Sequence, residues 1–296
     1  MARSAVQRKS EQEEVRQFYV VPKQQDVEKG HRKNPEEKVR YRKDNISYWS
    51  KRSLSFSRNK QEELACDQHA VWSDTLDRRI TEHFGNRGRG EIRVLDMGTG
   101  PGFFAILLCE LGYRVTAADY TAAMLSEAKR NAGKLADSIS FLQMDAQNLS
   151  FPDESFDVIV SRNLTWNLSD PERAYGEWSR VLKPDGLLLN FDANWYSYLY
   201  DEEAMTAHLA DRAHVSETDC WDDVAGTDVD AMESIARRAP LSTQSRPAWD
   251  LRVLRACGMN PTADTGIWEK VWTRDEWINN ASTPMFLVSA VKPGNL

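Results

Sequence analysis

The stretch Val94-Leu95-Asp96-Met97-Gly98-Thr99-Gly100-Pro101-Gly102-Phe103-Phe104 constrains this chain more than any other. A short β-rich run carries an acidic residue near its end. Three glycines follow at alternate positions, and then a helical pattern begins at Phe104-Ala105-Ile106-Leu107-Leu108. A strand that turns sharply into a helix through glycines brings backbone N–H groups close to a ligand, because no Cβ stands in the way. Dinucleotide sites use G-x-G-x-x-G at such a turn. Here the pattern is Asp-x-Gly-x-Gly-x-Gly, and bulky Phe103 and Phe104 fall where the third dinucleotide glycine belongs. The turn therefore predicts a nucleotide-like cofactor, and its spacing disfavours a dinucleotide.

The downstream pattern extends this reading. Arg114–Asp119 reads as a second strand, ending in a carboxylate 21 residues after Gly98. An acidic side chain there can accept both hydroxyls of a ribose. Tyr120-Thr121-Ala122-Ala123-Met124-Leu125 opens a helix with Thr121 as its expected N-cap. A third strand, Ile139–Met144, ends at Asp145-Ala146. The loop Leu149–Ser155 leads to Phe156-Asp157 and a fourth strand, which exits through Ser161-Arg162-Asn163-Leu164-Thr165-Trp166. Arg180–Leu189 reads as helix, turn and fifth strand, with Asp192-Ala193-Asn194-Trp195 at its exit.

Taken in order, these motifs resemble class I S-adenosylmethionine-dependent methyltransferases, in the ubiquinone/menaquinone-methyltransferase-like (methyltransferase type 11) branch. The resemblance covers roughly residues 90–195. One departure is Asp185, where the family commonly has the first glycine of Leu-Lys-Pro-Gly-Gly. The resemblance implies an α/β fold: a Rossmann-like, doubly wound, mostly parallel seven-stranded sheet with an antiparallel last strand. N-terminal helices and a helical lid inserted after the fifth strand would complete it. It implies S-adenosyl-L-methionine as cofactor and S-adenosyl-L-homocysteine as product. The cofactor set it implies begins with Asp96, Gly98, Thr99, Gly100 and Gly102 in the turn. Asp119, Tyr120 and Met124 follow the second strand, Asp145 and Ala146 the third (Asp145 near the adenine amino group), and Arg162 and Asn163 the fourth. Tyr48 belongs to helices that fold over the cofactor.

A sulfonium methyl group is already activated, so such a protein mainly aligns the reactants and removes water. No enzyme nucleophile is needed and none is apparent. A general base is optional; Asn163 and Asp192 are the expected catalytic residues, with lid His208 or His214 as further candidates. Trp166, Trp195, Tyr196 and Tyr200 follow strands four and five and are expected to form the acceptor site, since aromatic walls suit a small organic molecule. Ser161-Arg162-Asn163-Leu164 stands where amino-methylating enzymes of nucleic acid often carry Asn/Asp-Pro-Pro-Tyr, and no cysteine nucleophile lies there. The expected function is methyl transfer to a small molecule. A nicotinamide-dependent oxidoreductase and a non-catalytic S-adenosylmethionine-binding regulator are the alternatives; titration with each cofactor and an acceptor screen separate them.

The chain has 296 residues, 41% hydrophobic, enough for one large core. No run approaches the roughly 18 apolar residues of a membrane span, and the charged N-terminus lacks a secretory pattern. Cys66, Cys109, Cys220 and Cys257 are far apart and the five histidines are scattered, so no metal site is expected and a cytoplasmic location is. Residues 1–52 carry 14 Lys and Arg against 8 Asp and Glu, net +6, whereas the whole chain is −7 and the remainder −13. The acidic body argues against nucleic-acid binding, which needs a basic face. Residues 1–40 read as a polar extension and 41–90 as helices covering the cofactor. Residues 91–194 and 248–296 form the core, and 195–247 the lid. A helix is expected over Gln61–Phe84, another over Trp249–Cys257, and a final hairpin from Gly266–Trp272 and Met285–Ala290. Nothing in the sequence separates a monomer from a homodimer.

Overall fold

The computed structural model describes residues 35–294. Residues 1–34, most of the expected extension, lie outside the described residues. Helix α1 (Pro35–Ala65) and helix α2 (Gln68–Phe84) precede the sheet. The single helix expected over Gln61–Phe84 is thus two, broken at Cys66-Asp67. Then come β1 (Arg93–Met97), α3 (Phe103–Glu110), β2 (Arg114–Asp119), α4 (Ala122–Ala132) and β3 (Ser140–Gln143). The second half runs β4 (Phe156–Arg162), α5 (Pro171–Val181) and β5 (Leu182–Asp192). The segment 195–247, expected to be a lid, holds α6 (Glu202–Glu217) and α7 (Val229–Ala236). The chain closes with α8 (Ala248–Ala256), β6 (Asn260–Asp264), α9 (Trp268–Val271), α10 (Arg274–Asn280) and β7 (Phe286–Val291).

The strands form one seven-stranded sheet in the order β3-β2-β1-β4-β5-β7-β6. β1 to β5 pair in parallel, and β7 runs antiparallel to both β5 and β6. The apolar strand sequences explain this, because a sheet covered on both faces needs both sets of alternate residues apolar. Val94, Val158, Val160, Leu187 and Leu189 point to one layer with Trp72, Leu76 and Phe104. Leu95, Ile159 and Leu188 point to the other, with Tyr175, Trp178 and Leu254. A third cluster joins α1 to the lid through Tyr41, Tyr48, Trp166, Tyr198 and Met232. No described helix is long and apolar enough to cross a membrane.

The final hairpin is corrected. Its first strand is Asn260–Asp264, and Gly266–Trp272 supplies helix α9 instead. Ile267 and Val271 are both buried, and Trp268 and Trp272 lie 6.2 Å apart between ring centroids. Those pairs are spaced by four, which is the helical period; a strand would alternate by two. Pro261 is tolerated because β6 is an edge strand.

Candidate functional site

The strand order reverses between β1 and β4, so the loops leaving their carboxyl ends diverge and open a crevice. The glycine turn lies there. The amides of Gly98 and Thr99 both donate to the Ala118 carbonyl, at 2.8 and 3.0 Å, which ties the turn to β2. Gly98 has φ +71°, and a Cβ there would come within 2.7 Å of Leu164. Gly102 has φ +90°, and its Cβ would meet that of Ala128 at 3.0 Å. Gly102 does not line the crevice. Its place in the expected cofactor set is corrected: it caps α3 and lets α4 pack closely.

Asp119 is poised at the end of β2. One carboxylate oxygen accepts from Gly100 N at 3.0 Å, the other from Thr121 N at 2.8 Å. Each oxygen keeps a further lone pair for a hydroxyl. Thr121, expected to cap α4 with its side chain, makes no such bond. Asp145 accepts from Gln147 N at 2.9 Å and faces the Arg42 guanidinium at 3.3 Å. Tyr120, Met124 and Ala146 line the same cavity.

Arg162, expected to hold cofactor, is already engaged: Glu63 lies at 2.7 Å and Glu276 at 3.3 Å, with its guanidinium 4.5 Å above the Trp72 ring. Burial alone would push the Glu63 carboxyl up, but Arg162 and Lys60 hold it down at about 2. Burial and then Arg162 push the Lys60 ammonium down. Arg162 lines the cavity, as expected of a residue near the cofactor, and it also ties α1 to α10.

The cavity is about 690 Å³ and runs from the glycine turn to the lid. Trp166, Trp195 and Tyr196 line it, as do Tyr48 and Asn163. The Trp166 and Tyr196 rings lie 5.0 Å apart, and Trp166 Nε1 donates to the Asn163 carbonyl at 3.0 Å. Asn163 adopts φ +57°, a conformation Asn tolerates better than most residues. His208 also lines the cavity, stacked on Tyr198 with 3.9 Å between centroids. Burial and then Arg212 push its imidazole down to about 4, so it is neutral at pH 7. His214 does not reach the cavity.

Two expected site residues lie elsewhere. Asp192, expected to be catalytic, is fully buried and does not line the cavity. Its carboxylate accepts from Trp166 N at 3.0 Å, Ala193 N at 2.9 Å, Trp195 Nε1 at 3.1 Å and Arg246 at 2.8 Å. Those bonds consume its acceptor capacity, so it acts as a brace for the two loops. Tyr200 also misses the cavity, and its hydroxyl donates to the Arg237 carbonyl. Sequence reasoning missed Arg52, Arg212 and Asp223 among the lining residues. A usable signal existed for Arg52 alone: Tyr48, Arg52 and Phe56 are spaced by four and share one helix face.

The crevice fits a nucleoside cofactor with a polar tail. Buried Trp49 Nε1, Gln68 Oε1 and Asn163 Oδ1, all on lining residues, have no hydrogen-bond partner among the described residues. Buried polar groups are rarely left so. Among the described residues there is no cluster of metal ligands.

Asp96 carries a pH dependence. Burial pushes its carboxyl from 3.8 up to about 7, against the Thr99 hydroxyl that donates at 2.6 Å. The folded state then binds a proton that the unfolded state releases. Stability should therefore decline as pH rises from about 4 through 7 and level off above. Asp96→Asn is expected to flatten that slope, measured by urea unfolding at pH 5 and pH 8. An unchanged slope would place the titration elsewhere.

Comparison with known proteins agrees with this geometry. The methyltransferase domain family matches residues 95–190. The demethylmenaquinone methyltransferase of Thermus thermophilus is 40% identical over 99 residues, covering 33% of this chain and 45% of its own. The phosphatidylethanolamine N-methyltransferase of Cereibacter sphaeroides is 34% identical over 116 residues, 38% of this chain and 55% of its own. The chain thus spans about half the length of the curated relatives it matches. Among solved structures, a chain from the complex between the Haloferax volcanii Trm112 methyltransferase activator and a methyltransferase superposes with a TM-score of 0.53. It is 18% identical, and the match covers 83% of this chain and 97% of that one, which shows a shared fold. Over residues 95–190 this chain thus matches the methyltransferase domain family, and it is similar in sequence to demethylmenaquinone and ubiquinone/menaquinone methyltransferases.

Proposed function

We propose that this protein transfers a methyl group from S-adenosylmethionine to a small-molecule acceptor. The observation that carries this reading is the continuity of one cavity, which joins the glycine turn and Asp119 to the aromatic wall of Trp166 and Tyr196. A cofactor and an acceptor can then meet without solvent between them. Asp119 would accept the ribose hydroxyls. Asp96 and the Gly98–Gly100 backbone would face the methionine end, and Asp145 with Ala146 the adenine.

When bound, S-adenosylmethionine supplies a sulfonium methyl group open to in-line displacement. The residues of this chain supply position and dryness. Tyr48 and Phe56 on α1 cover the crevice from one side, and the segment 195–247 closes it from the other. Trp166 and Tyr196 hold the acceptor body flat, and Asn163 offers its free Oδ1 as a hydrogen-bond acceptor to orient a polar end. His208 lines the same cavity as a neutral ring that burial and Arg212 make only weakly basic, so it can accept a hydrogen bond from the acceptor but is a poor proton acceptor at pH 7.

Calorimetry tests the reading. S-adenosylhomocysteine should bind in the micromolar range, about −8 kcal/mol, and NAD should give no heat. Tight NAD binding with no response to S-adenosylhomocysteine would replace this reading with the oxidoreductase. Cofactor binding without methylation of any acceptor in a broad screen would replace it with a regulator.

A further inference from the structure

Five cationic side chains line the cavity: Arg42, Arg52, Lys60, Arg162 and Arg212. Four have carboxylate partners. Arg42 faces Asp145 at 3.3 Å, Lys60 pairs with Glu63, Arg162 with Glu63 and Glu276, and Arg212 lies 2.8 Å from Asp222. Arg52 has no carboxylate within ion-pair distance among the described residues. Its Nε is buried without a partner. Among the described residues its side chain makes one polar contact, a long bond from Nη1 to the Tyr48 hydroxyl, 3.4 Å.

What surrounds Arg52 is aromatic. Its guanidinium carbon lies 6.0 Å from the Tyr48 ring centroid, 5.9 Å from Trp49 and 6.0 Å from Phe56. Contacts at that range stabilise a cation modestly. They do not replace the hydrogen bonds that a guanidinium loses on leaving water. Three rings flank the head, and apart from the long Nη1 bond to Tyr48 its N–H groups have no partner among the described residues. A planar fork held this way matches a carboxylate or a phosphate bidentately.

The position of Arg52 decides which ligand is meant. Phe56, one turn further along α1, faces the glycine turn: its ring would lie 3.7 Å from a Cβ at Gly100. Arg52 precedes it, towards the lid, and is near enough to Tyr196 and Asp223 to act on both electrostatically. We infer that Arg52 receives an anionic head, a carboxylate or a phosphate ester, on the methyl acceptor, whose apolar body lies against the packed Trp166–Tyr196 pair. The acceptor class is thus a small aromatic or apolar acid. This rests on the methyl-transfer reading above.

The test uses the full chain saturated with S-adenosylhomocysteine. Matched pairs serve as probes: phenylacetate against phenylacetamide, indole-3-acetate against its amide, and benzyl phosphate against benzyl alcohol, followed by calorimetry. At least one anion should bind roughly 10- to 100-fold more tightly than its neutral partner; which head prevails tells carboxylate from phosphate. Arg52→Gln should abolish that preference and leave S-adenosylhomocysteine affinity within about 2-fold of the parent. Arg52→Lys, a point charge without the fork, should keep part of it. Melting temperatures verify that both variants fold.

Anions that bind no better than their neutral partners overturn the inference. So does a fall in S-adenosylhomocysteine affinity in Arg52→Gln, which would assign Arg52 to the carboxylate of the cofactor. Failure of the parent protein to bind S-adenosylhomocysteine at all is a separate result, which removes the methyl-transfer reading itself.

Discussion

Replacing Arg246 with methionine is expected to destabilise the protein by about 3–5 kcal/mol, the cost of leaving buried charges without their partner. Arg246 and its two partners, Asp192 and Asp250, are all buried. The guanidinium donates to Asp250 at 2.9 and 2.8 Å, to Asp192 at 2.8 Å and to the Thr165 hydroxyl at 2.7 Å. Tyr175 donates to Asp250 at 2.5 Å, and Asn190 reaches both Tyr175 and Thr165. One cation thus serves two carboxylates that cannot reach water. The network ties the exits of β4 and β5 to the start of α8, so it also fixes Trp166 and Trp195 at the cavity. Urea unfolding at pH 7.5 would show the loss. A second readout separates charge from packing: once the cation is gone, the stranded carboxylates favour protonation, so the deficit should shrink as pH falls towards 5. A deficit independent of pH would mean that Arg246 contributes packing alone. A loss below about 1 kcal/mol would sink the account altogether.

This network also marks where the sequence stopped being informative. Asp192 stood at a strand exit, where a catalytic acid belongs, and nothing local said otherwise. Its neutralising partner is 54 residues away and across the lid. Pairing at that separation leaves no periodicity to detect. The same holds for Arg212, whose partners Asp222, Asp223 and Asn279 come from the lid and from α10. The sheet was legible because its strands are short, apolar on both faces and separated by glycine turns, which is the pattern of a doubly wound fold. The glycine turn was legible because its geometry is local: Gly98, Gly100 and Asp119 are placed by backbone conformation and strand register. The misassigned Gly266–Trp272 shows the limit of short apolar runs, where a single helical turn flanked by Ile267 and Trp272 mimics a strand in composition. Arg52 falls between these cases. Its face was visible at a spacing of four, but its lack of a carboxylate is a property of the assembled cavity.

Asp119→Ala should weaken S-adenosylhomocysteine binding about 10- to 150-fold, the equivalent of roughly 1.5–3 kcal/mol for losing a charged hydrogen-bond partner. The expectation starts from what Asp119 already does. Burial pushes its carboxyl up, and the Thr121 and Gly100 amides oppose that only in part. Those two amides also orient the carboxylate with one lone pair free on each oxygen, the geometry that two vicinal hydroxyls require. Alanine removes both acceptors, so the ribose hydroxyls would be buried unpaired. It also strands the Gly100 and Thr121 amides and so costs some stability, which a melting curve would register. Asp119→Asn separates these effects. It keeps one oxygen and the shape of the side chain, but its amide group cannot accept from a backbone N–H, so one amide loses its partner. Its affinity should lie between those of the parent and of alanine. If alanine and asparagine both bind S-adenosylhomocysteine as the parent does while melting lower, Asp119 serves the turn and not the ligand. The ribose contact would then have to come from elsewhere in the crevice, with Tyr120 the nearest neighbour that lines it.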